Sequence, residues 1–243
     1  MKIVAIIQAR MGSTRLPGKV LADLGGYSVL ARVVGRLRRS ALIDEIVVAT
    51  TDCVADDAIV RECQRLETAF FRGSENDVLD RYYQAVRNYT AETIVRITSD
   101  CPMIDPELVD ETIQTLQRQR ADYASNVLSR TFPRGLDTEV FTVEALERAH
   151  HNANEFYERE HVTPYLYEHP EMFRLASVRG WIDYSQYRWT LDTAQDLALL
   201  RAIYARFANA DRFGWRDAIQ LMESEPDLTE LNAHVVQKAL QEA

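Results

Sequence analysis

Lys2 to Lys19 reads KIVAIIQARMGSTRLPGK, a step from a β-branched apolar run into a loop of glycines, hydroxyls and cations. Residues 2–8 have the length and composition of a strand buried on both faces. The glycine- and proline-bearing segment that follows ends it. A buried strand feeding a charged loop is the opening unit of an open α/β sheet, in which ligands gather outside the carboxyl ends of the strands.

The same alternation continues outward. Apolar positions Val29, Leu30, Val33, Val34 and Leu37 follow a helical period. Strands are expected at Ile43–Thr50, Thr68–Phe71 and Glu92–Thr98, with helices at Asp56–Leu66 and Val78–Tyr89 between them. Pro106 opens a further helix at the favoured first position, behind Asp105 as N-cap. Strand and helix in alternation imply an α/β fold with a mostly parallel sheet covered on both faces. The pattern changes after that. Residues 121–190 hold short β-like runs (Asp122–Asn126, Thr138–Thr142, Phe173–Val178) and one helical stretch around Glu155–Glu168. A clear helix returns at 193–207. The expectation is a single domain over 1–243 with an inserted β/α element at about 125–185.

Charge is spread unevenly. The chain has 243 residues and a formal charge of −9, yet residues 1–40 hold eight basic side chains against one acid, Asp23. A largely acidic protein lacks the extended basic face that tracks a nucleic-acid backbone, whereas a local cationic start suits a small polyanion. Arg32 to Arg39 can also be read as the solvated side of a helix. No apolar run is long enough to span a membrane, and residues 1–10 do not form a secretory signal. Three cysteines without CxxC spacing argue against a disulfide framework or zinc cluster, and a cytoplasmic setting is expected.

The loop itself carries Arg10, Gly12, Ser13, Thr14, Arg15, Gly18 and Lys19. Glycines let backbone N–H groups approach phosphate oxygens, and the cations neutralise them. It is neither a G-x-G-x-x-G fingerprint nor a Walker A loop: five residues separate Gly12 from Gly18, and Val20 stands where Ser or Thr is required. Two aspartates follow apolar stretches in the same manner. Asp100 comes after the strand ETIVRIT, and Asp192 after Tyr187–Leu191. Carboxylates are the hard oxygen ligands that Mg²⁺ prefers, usually one or two of them beside substrate phosphates. Taken alone, Asp192 also reads as a helix N-cap, and Asp100 as a turn residue before Pro102.

RMGSTRLPGK resembles the signature loop of the sugar-activating cytidylyltransferases, the family of the CMP-sialic acid and CMP-Kdo synthetases and the SpsF-type spore-coat polysaccharide proteins. The resemblance continues in order through VVATTD, FRGSENDVLDRYY, RITSDCPMIDP, GLDTEVF, REHVTPY and RWTLDTAQDL. It implies a nucleotide-diphospho-sugar-transferase-like three-layer α/β/α fold. It implies a Mg²⁺-dependent nucleotidyltransferase that couples a nucleoside triphosphate, CTP in most members, to a sugar acid or sugar phosphate and releases pyrophosphate. By the same resemblance Arg10, Arg15 and Lys19 hold the phosphates, and Asp100 and Asp192 hold the metal. Ala9, Met11, Thr51, Asp52, Arg72 and Ser74 lie near base and ribose. Arg72 is then the candidate for a base edge, with a plain surface cation as the other reading, and Asp80-Arg81 reads equally as a helical ion pair. Arg134, Asp137, Glu139 and His161 form the acceptor side, and the relatives pair as homodimers. GLDTEVF alternates like a strand, so Asp137 and Glu139 project to one face, where they bind sugar or metal or stand in solvent. His161 reads equally as a structural histidine. Two neighbouring readings remain: a glycosyltransferase of the same fold, which favours a D-x-D motif that Asp100-Cys101-Pro102 lacks, and a GTP- or UTP-using sugar-1-phosphate enzyme. A non-catalytic nucleotide-binding regulator is disfavoured by the retention of both aspartates and all three loop cations.

Overall fold

The computed structural model describes residues 2–208 and 212–237. The strands are β1 (Ile3–Gln8), β2 (Glu45–Thr51), β3 (Ala69–Gly73), β4 (Thr93–Thr98), β5 (Tyr123–Ser125), β6 (Glu139–Thr142) and β7 (Leu175–Ser177). They form one seven-stranded sheet in the order β3-β2-β1-β4-β6-β5-β7. β6 is antiparallel to both of its neighbours, and every other pairing is parallel. The expected mixed α/β fold with a mostly parallel sheet is therefore what the chain adopts. The segment read as an inserted element supplies β6 and β7 to that same sheet.

Helices α1 (Val29–Leu37), α2 (Asp57–Arg65) and α4 (Pro106–Gln119) cover one face; α3 (Val78–Tyr89) and α5 (Val143–Asn152) cover the other. Period-two alternation does the sorting: Ile3, Ala5 and Ile7 of β1 join the first layer, and Val4 and Ile6 the second. The helical stretch expected around Glu155–Glu168 is two short helices, α6 (Phe156–His161) and α7 (Pro164–Glu168). Val162 between them takes a positive φ of 73°, and Pro164 brings no N–H to continue the ladder.

A third core lies off the end of the sheet, built by α8 (Ala194–Arg206), α9 (Trp215–Ser224) and α10 (Asp227–Glu230), with Phe132, Leu136, Trp189 and Leu191 among its members. It fixes the two segments that bring residues 130–137 and 187–192 to the sheet. Arg32 and Arg36 of α1 are buried against it, which corrects the solvated-face reading for those two. Arg32 donates to the Leu24 carbonyl and lies over the Tyr204 ring, while Arg36 donates to the Tyr204 hydroxyl and the Phe213 carbonyl. No helix among the described residues is long and apolar enough to cross a membrane.

Candidate active site

The loop after β1 is closed by its own backbone. Ala9 N–H extends the pairing to Ala49, and the Met11 carbonyl accepts from both Ser13 and Gly18. Gly18, at φ 72°, occupies the left-handed region and caps the 3₁₀ turn Lys19–Leu21. That turn launches the Lys19 side chain inward. The buried Asp56 pins the loop from below, accepting from Met11 N–H at 2.7 Å and from the Thr50 and Thr51 hydroxyls.

Asp100 follows the end of β4, where Thr98 Oγ1 donates to its Oδ1 at 2.6 Å. The Asp100 carbonyl accepts from Leu191 N–H at 2.8 Å, so residues 187–191 are laid directly beside it. Asp192 is the next residue along. Lys19 Nζ bridges the two acids, 2.9 Å from Asp100 Oδ2, 2.9 Å from Asp192 Oδ1 and 2.7 Å from the Leu191 carbonyl. Arg15 Nη2 reaches Asp192 Oδ1 at 3.0 Å, and Arg188 Nη2 takes Asp192 Oδ2 at 2.7 Å. Burial opposes the charge on Lys19, but Asp100 and Asp192 outweigh it and hold its pKa above the ordinary value. Burial likewise opposes ionisation of Asp100, and Lys19 with Thr98 reverses the balance, so its carboxyl titrates low. A cation and two acids 81 and 173 residues beyond it thus form one constellation. Its donor set is two hard carboxylates meeting at one cation, and no group of three or more His, Cys, Asp or Glu among the described residues is arranged to hold a metal ion. Such a pair suits a divalent ion whose remaining ligands come from phosphate and water.

Asp192 does not cap α8. Thr193 is the N-cap, in a capping box with Asp196, and Asp196 also accepts from Asp192 N–H and Asn232. Arg188 Nε donates to Asp196 at 3.0 Å. Arg188 and Asp196, four residues before and after Asp192, are the support that sequence reasoning missed. That spacing was visible in RWTLDTAQDL.

The other expected site residues divide. Arg10 is exposed, 3.8 Å from Glu160 of α6. Gly12 and Thr14 are exposed, and the Ser13 hydroxyl accepts from Leu16 N–H. Asp52 is exposed beside the buried Thr51. Arg72 is not a plain surface cation: its nitrogens donate to the Thr51 and Cys53 carbonyls and to Asp57, at 2.7–2.9 Å. Three of its five N–H donors thus brace the turn after β2, and one on each terminal nitrogen remains for a base edge. Ser74 closes the next turn by accepting from Asp77 N–H. Asp80 and Arg81 make no ion pair: Arg81 is buried and donates to the Ser74 carbonyl, and Asp80 pairs with His150.

On the acceptor side Asp137 and Glu139 are held by different partners. Asp137 precedes β6 and forms a two-point pair with Arg130, at 2.6 and 2.8 Å. Glu139 is buried, bound by Arg96 and by the Tyr123 and Thr163 hydroxyls at 2.6 Å each, and is neither solvated nor open to a sugar or metal. Strand alternation was read two residues beyond the end of the strand. His161 ends α6 and is half-buried. Arg134 is half-buried, and its guanidinium makes no hydrogen bond among the described residues; burial and Arg130 lower its pKa. Its backbone is tied to the Asp192 segment, with Arg134 N–H donating to Tyr187 and Trp189 N–H to Arg134. Gly135 permits this approach. It sits at φ 106°, and a Cβ there would lie 2.5 Å from the Trp189 carbonyl carbon.

Comparison with known proteins agrees with this architecture. The family model described as Cytidylyltransferase matches residues 4–237. The spore coat polysaccharide biosynthesis protein SpsF of Bacillus subtilis is 37% identical, over 93% of this chain and 95% of its own. A 3-deoxy-manno-octulosonate cytidylyltransferase of Geobacter sulfurreducens is 38% identical over 54% of this chain and 51% of its own. The solved structure of a cytidylyltransferase from Leptospira borgpetersenii superimposes with a TM-score of 0.91 at 36% identity, covering 94% of this chain and 97% of that one.

Proposed function

The chain belongs to the cytidylyltransferase family, and from that premise we propose that it transfers a cytidylyl group from CTP to a sugar acid or sugar phosphate. Pyrophosphate leaves, and the activated sugar feeds surface-polysaccharide synthesis. The observation that carries this reading is the convergence of Lys19 and Arg15 on Asp100 and Asp192 at the carboxyl ends of β1 and β4. A triphosphate needs those cations, and nucleotidyl transfer needs positioning and charge neutralisation more than a covalent intermediate.

In this reading the backbone N–H groups of Gly12, Thr14 and Arg15 and the side chains of Arg15 and Lys19 take the phosphates and oppose the charge that builds on the departing pyrophosphate. Arg10, exposed beside Glu160, reaches the same tail from the solvent side. Asp100 and Asp192 would hold Mg²⁺, a Lewis acid and template for the phosphates when bound. Thr98 fixes one oxygen of Asp100, and Arg188 fixes one oxygen of Asp192, leaving each acid a free-facing oxygen where Lys19 now sits. Arg134, half-buried and with a guanidinium that makes no hydrogen bond among the described residues, suits the carboxylate or phosphate of the acceptor, and Arg130 holds Asp137 beside it. The described cysteines are all free, which supports work in a reducing cytoplasm. Trp181 is fully exposed and Ile182 61% exposed, an apolar pair that supports association as a homodimer.

Pyrophosphate release tests the reading directly. The purified protein, with Mg²⁺, is assayed with each common nucleoside triphosphate against keto-sugar acids and hexose 1-phosphates. Release with CTP and one acceptor class is the expected result; release only with GTP or UTP would reassign the donor, and none with any pair would overturn the proposal.

A further inference from the structure

We propose that Lys19 has a second task beyond the triphosphate: its ammonium is a tethered stand-in for the divalent cation, and it couples metal binding to nucleotide binding. The inference rests on the transferase reading for the identity of the ligands. It rests on geometry for everything else.

An ammonium has three donors. In this structure three oxygens lie at 2.7–2.9 Å from Lys19 Nζ: Asp100 Oδ2, Asp192 Oδ1 and the Leu191 carbonyl. The group is saturated, so nothing of it remains for a phosphate oxygen while it stays there. Conversely, each acid's inward oxygen is already taken. Asp100 Oδ1 accepts from Thr98 and its Oδ2 from Lys19. Asp192 Oδ2 is held by Arg188, itself locked onto Asp196, and Asp192 Oδ1 receives both Lys19 and Arg15. A metal ion and the Lys19 ammonium therefore compete for the same two oxygens.

Charge decides how that competition resolves. Asp100 and Asp192 balance Lys19 and Arg15, and Arg188 balances Asp196, so the cluster is formally neutral as it stands. A bare divalent ion entering a neutral cluster must push a cation off its acids with nothing to receive it. A triphosphate supplies the receiving oxygens. When Lys19 and Arg15 turn to the phosphates, the two acids are left exposed to each other and to the metal. Lys19 can make the exchange because its ammonium is a point charge on a flexible stem, whereas Arg188 is fixed in a two-carboxylate fork. Metal and nucleotide thus favour each other's binding, and by linkage the favour is mutual.

The test is binding of Mn²⁺ alone, without nucleotide, followed by the electron paramagnetic resonance of the free ion. Wild type binds weakly, and Lys19→Met binds tighter by about tenfold or more, because the acids lose their resident cation. Lys19→Arg restores the cation and binds as weakly as wild type. Arg15→Met, on the exposed lip, shifts affinity in the same direction by a smaller factor and serves if Lys19→Met does not fold. Asp100→Asn in the Lys19→Met background removes the gain and so places the ion at these acids. Equal Mn²⁺ affinity in wild type, Lys19→Met and Arg15→Met overturns the proposal, as does a Lys19→Arg variant that binds as tightly as Lys19→Met. If those affinities are equal while CTP-dependent pyrophosphate release is intact, only this proposal falls. If no triphosphate supports release, the transferase reading falls and the Mn²⁺ comparison still decides the role of Lys19.

Discussion

Asp192 and Glu139 are almost equally hidden, at 8% and 6% exposure, and each is bound by cationic side chains. Their partners differ in kind. Glu139 is satisfied by Arg96 of β4, Tyr123 of β5 and Thr163 at the α6–α7 junction, all anchored in the frame of the sheet. Burial opposes the charge on Arg96, but Glu139 more than offsets it and raises its pKa; burial and Glu139 also push the Tyr123 phenol up. Asp192 is satisfied from one side by the fixed Arg188 and from the other by Arg15 and Lys19, which come from a loop. Burial alone therefore does not separate the two acids. What distinguishes Asp192 is that two of its three cationic partners come from a loop and can leave.

The widest separation between the two clusters is expected from a change that keeps shape. Asp192→Asn should lower CTP-dependent transfer by about 10³-fold or more, ~4 kcal/mol in the barrier, with the urea midpoint nearly unmoved. A variant with normal turnover would place Asp192 in the frame with Glu139. Next, Glu139→Ala strands the buried Arg96 and should cost about 3 kcal/mol of folding stability in urea titrations, while the folded fraction keeps its turnover. Lost turnover in a fully stable Glu139→Ala protein would return that acid to the acceptor site. Lys19→Ala should weaken triphosphate binding by roughly thirtyfold, ~2 kcal/mol, measured by calorimetry; unchanged affinity would mean that the ammonium never turns to the phosphates. The smallest shift belongs to Arg72→Ala, about 1 kcal/mol of stability and no change in preference among nucleoside triphosphates. A changed preference would show that Arg72 leaves its turn to read the base.

Much of this was legible in the sequence, for physical reasons that also explain the misses. Buried parallel strands write themselves as continuous apolar runs, so β1, β2 and β4 and the residues at their carboxyl ends could be located, and with them Lys19 and Asp100. Short strands write weakly. β5, β6 and β7 have three or four residues each and fall inside the expected short runs, but Asp137 lies outside the strand that Glu139 opens, where period two no longer applies. Helices α9 and α10 were not anticipated, although Trp215, Ala218, Ile219 and Met222 are their buried positions in α9. Arg32 and Arg36 looked solvated because a local window cannot show Tyr204 and Phe213, which arrive from the far end of the chain to cover them. Asp56 was hidden for the same reason: its partner Met11 lies 45 residues away.

Gly135 sets a rule for anyone who would change which sugar this scaffold accepts. With no room for even a methyl group against Trp189, the strand of backbone bearing Arg134 and the one ending in Asp192 are riveted face to face. Loop grafting at 130–137 alone would break the rivet. Recruiting a new acceptor is a matter of transplanting both pieces as a unit, glycine included.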